Sequence, residues 1–145
     1  GNIGIHICYE LWFPETARAL AIAGAELIIN PTMTPTKDRD IEIVMVQATA
    51  AQQQCYYVDI NGSGEQGNGK SLICDYEGSI IDYADNKNKI LEAEIDFDKV
   101  KEARKKGFMG LGQPLKSFRD NPFNPINYMN KEYLDSLGDL KKNKS

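Results

Sequence analysis

The stretch GIHICYELWFPETARALAIAGAELII, residues 4–29, decides the fold of this chain. Its first part, residues 4–7, is short, apolar and rich in β-branched side chains, which predicts a buried strand. Pro14 then opens a helical pattern of apolar residues that stops at Gly24. A second apolar strand is predicted over residues 25–29. Strand, helix and strand in this order are typical of a parallel βαβ unit.

The chain continues as an α/β protein. Asn30-Pro31-Thr32 is expected to end the second strand, because proline cannot continue a central ladder. A long helix is predicted over residues 38–54, packing on the sheet through Ile41, Val44, Met45, Ala48 and Ala51. Further strands are predicted over residues 56–60, 71–74, 79–83 and 90–95. Asp96 is expected to cap a last helix that runs to about Lys106.

The chain divides into an acidic body and a basic arm. Residues 1–98 carry 6 basic and 16 acidic side chains, a net charge of -10, whereas residues 99–145 carry 11 and 5, a net charge of +6. Beyond residue 106, Gly, Pro and Asn recur without periodicity. We therefore assign residues 1–106 to a domain and residues 107–145 to an extended arm, with a short helical turn near residues 133–137.

Composition narrows the classes of function. The 145 residues suffice for one domain, and the net charge of -4 with a pI near 5.0 gives no overall basic field for nucleic acid. No apolar run is long enough to span a membrane and no signal peptide pattern opens the chain, which favours a cytoplasmic protein. The three cysteines are widely spaced, which predicts free thiols and no metal site or cofactor.

Cys8 is the first candidate for chemistry. It falls where the first strand ends and a helix begins, as in the turn that exposes a nucleophile to free backbone N–H groups. The alternative is that Cys8 packs as a small hydrophobic side chain, as most free cysteines do. Cys55 and Cys74 lie inside strand patterns, and for them we prefer that second interpretation.

The residues around Cys8 resemble the nucleophile block of the nitrilase superfamily, the carbon-nitrogen hydrolases. The resemblance begins with GIHICYELWFPETAR and continues in family order to about residue 106. The further matching blocks are Gly24-Ala25-Glu26-Leu27-Ile28-Ile29, Tyr57-Val58-Asp59-Ile60-Asn61-x-x-Gly64, Gly69-Lys70-Ser71, Asp75-x-x-Gly78 and residues 90–95. The arm is similar to the C-terminal extension of the aliphatic-amidase-like branch.

The resemblance implies the C-terminal part of an α-β-β-α sandwich. In that family a cysteine thiolate, assisted by a Glu and a Lys, attacks the carbon of an amide or nitrile, and Cys8 matches the nucleophile. The implied substrate is a small amide, with a carbamoyl compound or a nitrile as alternatives. The implied chemistry passes through a thioester that water hydrolyses.

The resemblance extends to the neighbours of Cys8. The backbone N–H of Tyr9 is a candidate oxyanion donor, because it follows the nucleophile. Glu10 and Arg18 match positions that pair with each other in the family, and we expect them to support the turn. An ordinary, partly buried ion pair is the equally good alternative.

A possible acyl pocket follows the second strand. Asn30, Pro31, Thr32 and Met33 lie where pockets form beyond the carboxyl ends of parallel strands, although a plain loop explains them as well. His6 could form a dyad with Cys8, but two residues along a strand leave the side chains well separated. We prefer a hydrogen-bonded core or interface histidine.

Two departures from the family pattern limit the prediction. The helix segment Arg-Ala-x-x-x-x-Asn reads Gln47-Ala48-Thr49-Ala50-Ala51-Gln52-Gln53 here, so an expected charge is missing. The family's Glu and Lys precede the nucleophile, and only seven residues precede Cys8. We therefore expect an N-terminal half outside this chain as a partner, and a homo-oligomer. The competing hypothesis is a non-catalytic interaction module that binds through its basic arm.

Overall fold

The computed structural model describes residues 1–64, 66–86 and 88–140. Within them, one sheet holds five strands in sequence order. β1, β2 and β3 are parallel, which confirms the predicted βαβ unit, whereas β4 and β5 are antiparallel to their neighbours. The bounds are β1 Ile3–Ile5, β2 Leu27–Thr32, β3 Tyr56–Asn61, β4 Leu72–Cys74 and β5 Ile80–Tyr83.

The helices follow the local signals in the sequence. Pro14 occupies the first position of α1, where its missing N–H costs nothing. Asp96 caps α3 by accepting hydrogen bonds from the N–H groups of Asp98 and Lys99, at 3.0 and 3.3 Å. The bounds are a 3-10 helix Cys8–Trp12, which we call the elbow helix, α1 Pro14–Ile22, α2 Asp38–Gln53, α3 Phe97–Lys106, α4 Pro114–Asp120, a 3-10 helix Pro125–Tyr128 and α5 Lys131–Ser136.

β2 continues through Pro31 to Thr32, although the sequence predicted that it ends at the Asn-Pro-Thr segment. Successive residues of β2 bond to opposite neighbours: the Thr32 carbonyl accepts from Gly62 on the β3 side, and the Ile29 carbonyl accepts from His6 on the β1 side. Pro31 belongs to the set that faces β1. Because β1 has already ended beside it, the missing N–H of proline breaks no ladder bond.

The sheet has two unlike faces. The helix face lies under α1 and α2 and includes the buried side chains of Ile28, Tyr57 and Leu72. On the open face, α3 covers only one end, where Val100 packs on Leu27 and Tyr56. One helix layer on one sheet is the arrangement that the C-terminal part of a sandwich would have. The other open-face residues are Ile3, Ile5, Ile29, Val58, Ile60 and Ile73.

α2 buries a different side from the one that its apolar residues predict. Ile41 and Val44, expected in the core, are 50% and 63% exposed. The buried side instead includes Arg39, Glu42 and Gln53. The prediction was wrong because a helical stripe of apolar residues shows that a partner exists, not that this sheet is the partner, and because the charged side finds buried counter-charges.

The C-terminal part differs from the prediction in two places. Residues 90–95 form no strand in the structure. The Asp82 carboxylate of β5 accepts a hydrogen bond from the Glu92 N–H at 3.1 Å, but the two segments do not pair as strands. The arm contains α4, which begins at Pro114 and was not predicted. Residues 141–145 of the predicted arm lie outside the described residues. Over the described part of the chain, no helix is long and apolar enough to cross a membrane.

Candidate active site

Cys8 lies at the turn between β1 and the elbow helix. Its φ of 52° falls in the left-handed region, which non-glycine residues rarely adopt and which costs about 1–3 kcal/mol. The side chain is partly exposed, unlike those of the other two cysteines. A strained and accessible thiol at the end of a strand, here β1 at the edge of the sheet, is the arrangement that a nucleophile needs.

Thr32 is the polar side chain that contacts Cys8. Its hydroxyl donates to Cys8 Sγ over 3.3 Å. Thr32 closes β2 while Cys8 follows β1, so the contact forms at the shared carboxyl edge of two parallel strands. The hydroxyl is therefore positioned to stabilise negative charge on the sulfur.

Tyr9 is the second residue of the elbow helix. The first N–H groups of a helix have no acceptor inside it, so the Tyr9 N–H is available beside Cys8. The Tyr9 ring is 65% exposed and meets Phe13 edge to face, with ring centroids 5.2 Å apart. The ring thus lies on the outer side of the turn.

The expected pair of Glu10 and Arg18 does not form. Glu10 Oε2 accepts the N–H of Ile7 at 2.6 Å and so closes the turn onto itself. Arg18 Nη1 is buried without a hydrogen-bond partner, and burial lowers the pKa of this guanidinium. Glu10 does not pair with Arg18 because its carboxylate is bonded to the backbone at the start of the elbow helix and does not reach across to α1. Glu10 supports the turn alone.

The expected acyl pocket is only partly assembled. Asn30 is fully buried and its amide donates to Asp59 Oδ1 at 2.7 Å, so it lies in the core. This follows from the longer β2, which places Asn30 and Thr32 on the helix face and Pro31 on the open face. Pro31 and Met33 are exposed. Among the four expected residues, Thr32 forms a hydrogen bond with Cys8.

His6 is a buried core histidine, as preferred from the sequence. Its Nε2 lies 2.5 Å from the Tyr57 hydroxyl and its Nδ1 lies 3.4 Å from Thr16 Oγ1. Burial lowers the pKa of His6, although Glu10 opposes the shift. With both ring nitrogens occupied, His6 ties the residues before Cys8 to β3.

Cys55 and Cys74 are both fully buried, as expected. Burial raises the pKa of each thiol to about 12. Neither sulfur is suited to attack a substrate at neutral pH, because the thiolate is the reactive form. Within the described residues, no three His, Cys, Asp or Glu side chains form a group that could hold a metal ion.

A buried polar network beside Cys8 was missed by the sequence analysis. It contains two charged residues of α2 and one charged residue of β3. Charged residues three apart on a helix, together with an acid inside an apolar strand, were the available signal. Its members are Trp12, Thr34, Arg39, Glu42 and Asp59.

Comparison with known proteins gives relatives of one kind. The carbon-nitrogen hydrolase family model matches residues 1–105. A deaminated glutathione amidase from Synechocystis sp. is 33% identical over 110 residues, which cover 72% of this chain and 40% of that protein. An N-carbamoylputrescine amidase from Oryza sativa is 31% identical over 123 residues, which cover 71% of this chain and 41% of that protein.

A solved structure shares the fold. A carbon-nitrogen hydrolase from Helicobacter pylori G27 superposes with a TM-score of 0.73 at 23% identity, covering 88% of this chain and 49% of that chain. The chain spans about two fifths of the length of the curated relatives named above. The family match extends over the βαβ unit, Cys8 and α3. This chain belongs to the carbon-nitrogen hydrolase family, in the nitrilase superfamily.

Proposed function

We propose that this chain supplies the nucleophile of an amidase that hydrolyses a non-peptide carbon–nitrogen bond in a small amide. The observation that carries the proposal is the strained, partly exposed Cys8 with the Thr32 hydroxyl 3.3 Å from its sulfur. The family supports hydrolysis of a carbon–nitrogen bond. The thioester and the roles of individual residues are the parts that we propose.

The proposed reaction begins with attack of the Cys8 thiolate on the amide carbon. The new C–S bond gives a tetrahedral oxyanion, toward which the Tyr9 N–H is the proposed donor. Collapse breaks the C–N bond, and the amine leaves with a proton from a general acid. Water then hydrolyses the thioester, which releases the acid product and restores the thiol.

The Glu and Lys implied by the family resemblance match no position in this chain. Its own candidates are already committed, because Glu10 Oε2 accepts the Ile7 N–H and Lys70 Nζ pairs with Asp40 at 2.5 Å. We therefore propose that the two partners come from an N-terminal half. The homo-oligomer and the cytoplasmic location stay predictions of the sequence.

The substrate is proposed as a class. The Synechocystis relative is named for an amide of deaminated glutathione, and the rice relative for a carbamoyl compound. A small primary amide is our first choice and a carbamoyl compound the second, because both present a carbonyl carbon with an amine leaving group. A nitrile is the third.

The test is ammonia release from small amides by the full-length protein and by its cysteine variants. We expect Cys8→Ala to lower kcat by at least about 10³-fold, because the nucleophile is lost. Cys74→Ala is the matched control and should keep kcat within about threefold, since its buried thiol takes no part. Ammonia release that persists in Cys8→Ala would overturn the proposal.

An interaction module is the competing function, and the arm supports it. Met109 and Leu111 are each 87% exposed, which suits a segment that lies on another surface. Alkylation separates the two hypotheses. We expect iodoacetamide to label Cys8 at least about tenfold faster than Cys55 or Cys74 in the full-length protein. Equal labelling would favour the module.

A further inference from the structure

Three charged side chains are buried together beneath the sheet edge that carries Cys8. Arg39 and Asp59 are fully buried and Glu42 is nearly so. Arg39 Nη2 lies 2.5 Å from Asp59 Oδ2, and Arg39 Nη1 lies 3.2 Å from Glu42 Oε2. Arg39 Nη2 also donates a hydrogen bond to the Lys70 carbonyl oxygen at 2.8 Å. The guanidinium is therefore held between two carboxylates from different elements.

Glu42 reaches from this cluster to both sides of Cys8. Its Oε1 accepts the indole N–H of Trp12 at 3.2 Å and the Thr34 hydroxyl at 3.0 Å. Trp12 ends the elbow helix that Cys8 begins, and Thr34 follows the strand that ends at Thr32. One carboxylate oxygen thus ties together the two backbone segments that bring Cys8 and Thr32 into contact.

The number of hydroxyl protons on Thr32 and Thr34 limits which of these groups can donate. Each threonine hydroxyl has one proton, and the Thr34 proton is committed to Glu42 because a carboxylate only accepts. Thr34 Oγ1 can then only accept from Thr32 Oγ1, which lies 3.4 Å away. The single Thr32 proton can go to Thr34 Oγ1 or to Cys8 Sγ, 3.3 Å away, and the two acceptors compete for it.

Stability alone does not account for such a cluster. Burying an ion pair costs desolvation energy, and well-packed apolar side chains in its place are often equally or more stabilising. Arg39 Nε has no hydrogen-bond partner, so the cluster is not fully satisfied either. Buried charge next to a candidate nucleophile is typical of groups that orient reactive atoms.

We propose that Glu42, held by Arg39 and Asp59, is a positioning residue that sets the geometry of Cys8. Through Trp12 it fixes the elbow helix, and through Thr34 it fixes the segment that follows Thr32. The inference rests on the proposed function, because it assigns Glu42 a role only if Cys8 is the nucleophile. Glu42 itself touches neither Cys8 nor the substrate.

The experiment measures the rate at which iodoacetamide alkylates Cys8 in the full-length protein between about pH 6 and 9, with the thermal midpoint as a parallel reading. Glu42→Gln keeps the shape and removes the charge. We expect it to lower the alkylation rate at neutral pH at least about tenfold and to move the pH–rate profile, because the donor network loses its anchor. A purely structural role would move only the thermal midpoint.

Glu26→Gln is the matched control. Glu26 is buried to a similar degree and accepts the N–H of Asn2 at 3.0 Å, near the start of β2 and at the opposite end of the sheet from Cys8. We expect it to leave the alkylation rate within about twofold of the unaltered protein. An alkylation profile of Glu42→Gln that matches that of Glu26→Gln would overturn the proposal.

Two further variants keep the proposal testable if Glu42→Gln does not fold. Trp12→Phe removes the indole donor, and Thr32→Val removes the hydroxyl that contacts the sulfur. Each should slow alkylation of Cys8 about threefold or more, and unchanged rates in both would overturn the proposal. The two failures are distinguishable: activity retained in Cys8→Ala removes the proposed function itself, whereas an essential Cys8 with unchanged alkylation in these variants removes only the role of Glu42.

Discussion

The two faces of the sheet differ in which side chains they bury and which they expose. The helix face buries a full charge cluster, with Arg39 and Asp59 inaccessible to solvent. The open face leaves apolar side chains in solvent, with Ile3 58% and Ile5 61% exposed. Each face thus contains a local exception to the usual preference for apolar interiors and charged surfaces.

On the helix face this chain itself supplies the partners of its buried charge cluster. On the open face it leaves apolar side chains for another surface to cover. Every charge of the buried cluster finds its counter-charge within the chain, on α2 or β3. Ile3, Ile5 and Ile60 on the open face are each at least half exposed in the described structure. A contiguous apolar surface of this kind marks an interface, and a second sheet packed face to face would cover it. The open face is the surface on which we expect the proposed N-terminal half to pack.

Breaking the buried cluster should have the largest effect. Asp59→Ala leaves the Arg39 guanidinium buried without its 2.5 Å partner. We expect the free energy of unfolding to fall by about 3–5 kcal/mol in denaturant titration. Asp82→Ala, which removes a partly exposed partner of Lys89, should cost clearly less than Asp59→Ala. Equal losses would show that the cluster is no better coupled than a surface pair.

A charge on the open face should have the next largest effect, provided that another layer covers the face. We expect Ile5→Glu to lower the unfolding free energy of the full-length protein by about 2–3 kcal/mol, because a buried isoleucine contributes about that much. Ile90→Glu is the control, since Ile90 is 83% exposed and outside the sheet. It should change stability by less than about 0.5 kcal/mol. An equally small effect of Ile5→Glu would show that the face stays in solvent.

Acid should weaken the helix face through His6. Burial keeps the folded pKa of His6 below its usual value of 6.5, so the unfolded chain takes up the proton first. The contribution of His6 to the free energy of unfolding is greatest above about pH 6.5 and decreases as the pH falls below that value. We expect the free energy of unfolding to fall between about pH 6.5 and 5.5, a loss that His6→Gln removes. A wild-type curve that stays parallel to that of His6→Gln would contradict the lowered pKa.

The smallest effect is expected at Pro31, which lies on the open face. Its ring breaks no ladder bond, so Pro31→Ala should lower the unfolding free energy by only about 0.4–1 kcal/mol, through the greater freedom of the unfolded chain. Denaturant titration measures this loss. A loss above about 2 kcal/mol would mean that the ring itself packs against a covering layer.

The sequence predicted the features that depend on residues close together in the chain, such as helix starts and the βαβ unit. Pro14 and Asp96 stand at helix starts because each suits the first turn of a helix locally, and the βαβ unit follows from its apolar runs. The buried side of α2 could not be predicted, because Arg39 is stable inside only if Asp59 arrives from another strand. Residues 90–95 alternate as a strand does, yet a strand also needs a neighbouring edge with which to pair.

The candidate site was predictable to a similar depth. Cys8 could be identified from its place between strand and helix and from the family resemblance. The partner of Glu10 could not, because the backbone N–H of Ile7 competes for the same carboxylate. Glu42 was missed because its role depends on contacts across the fold, with Trp12 and Thr34.

Pro31 stands where the pairing of β1 with β2 stops. Leu27 N donates to Asn2 O, and the same ladder extended in steps of two would set the nitrogen of residue 31 against the His6 carbonyl. Proline has no hydrogen to donate there. Pairing stops just short of Cys8, which leaves the backbone free to turn into its left-handed conformation. The position of the proposed nucleophile thus depends partly on the adjacent strand, through the backbone nitrogen of Pro31.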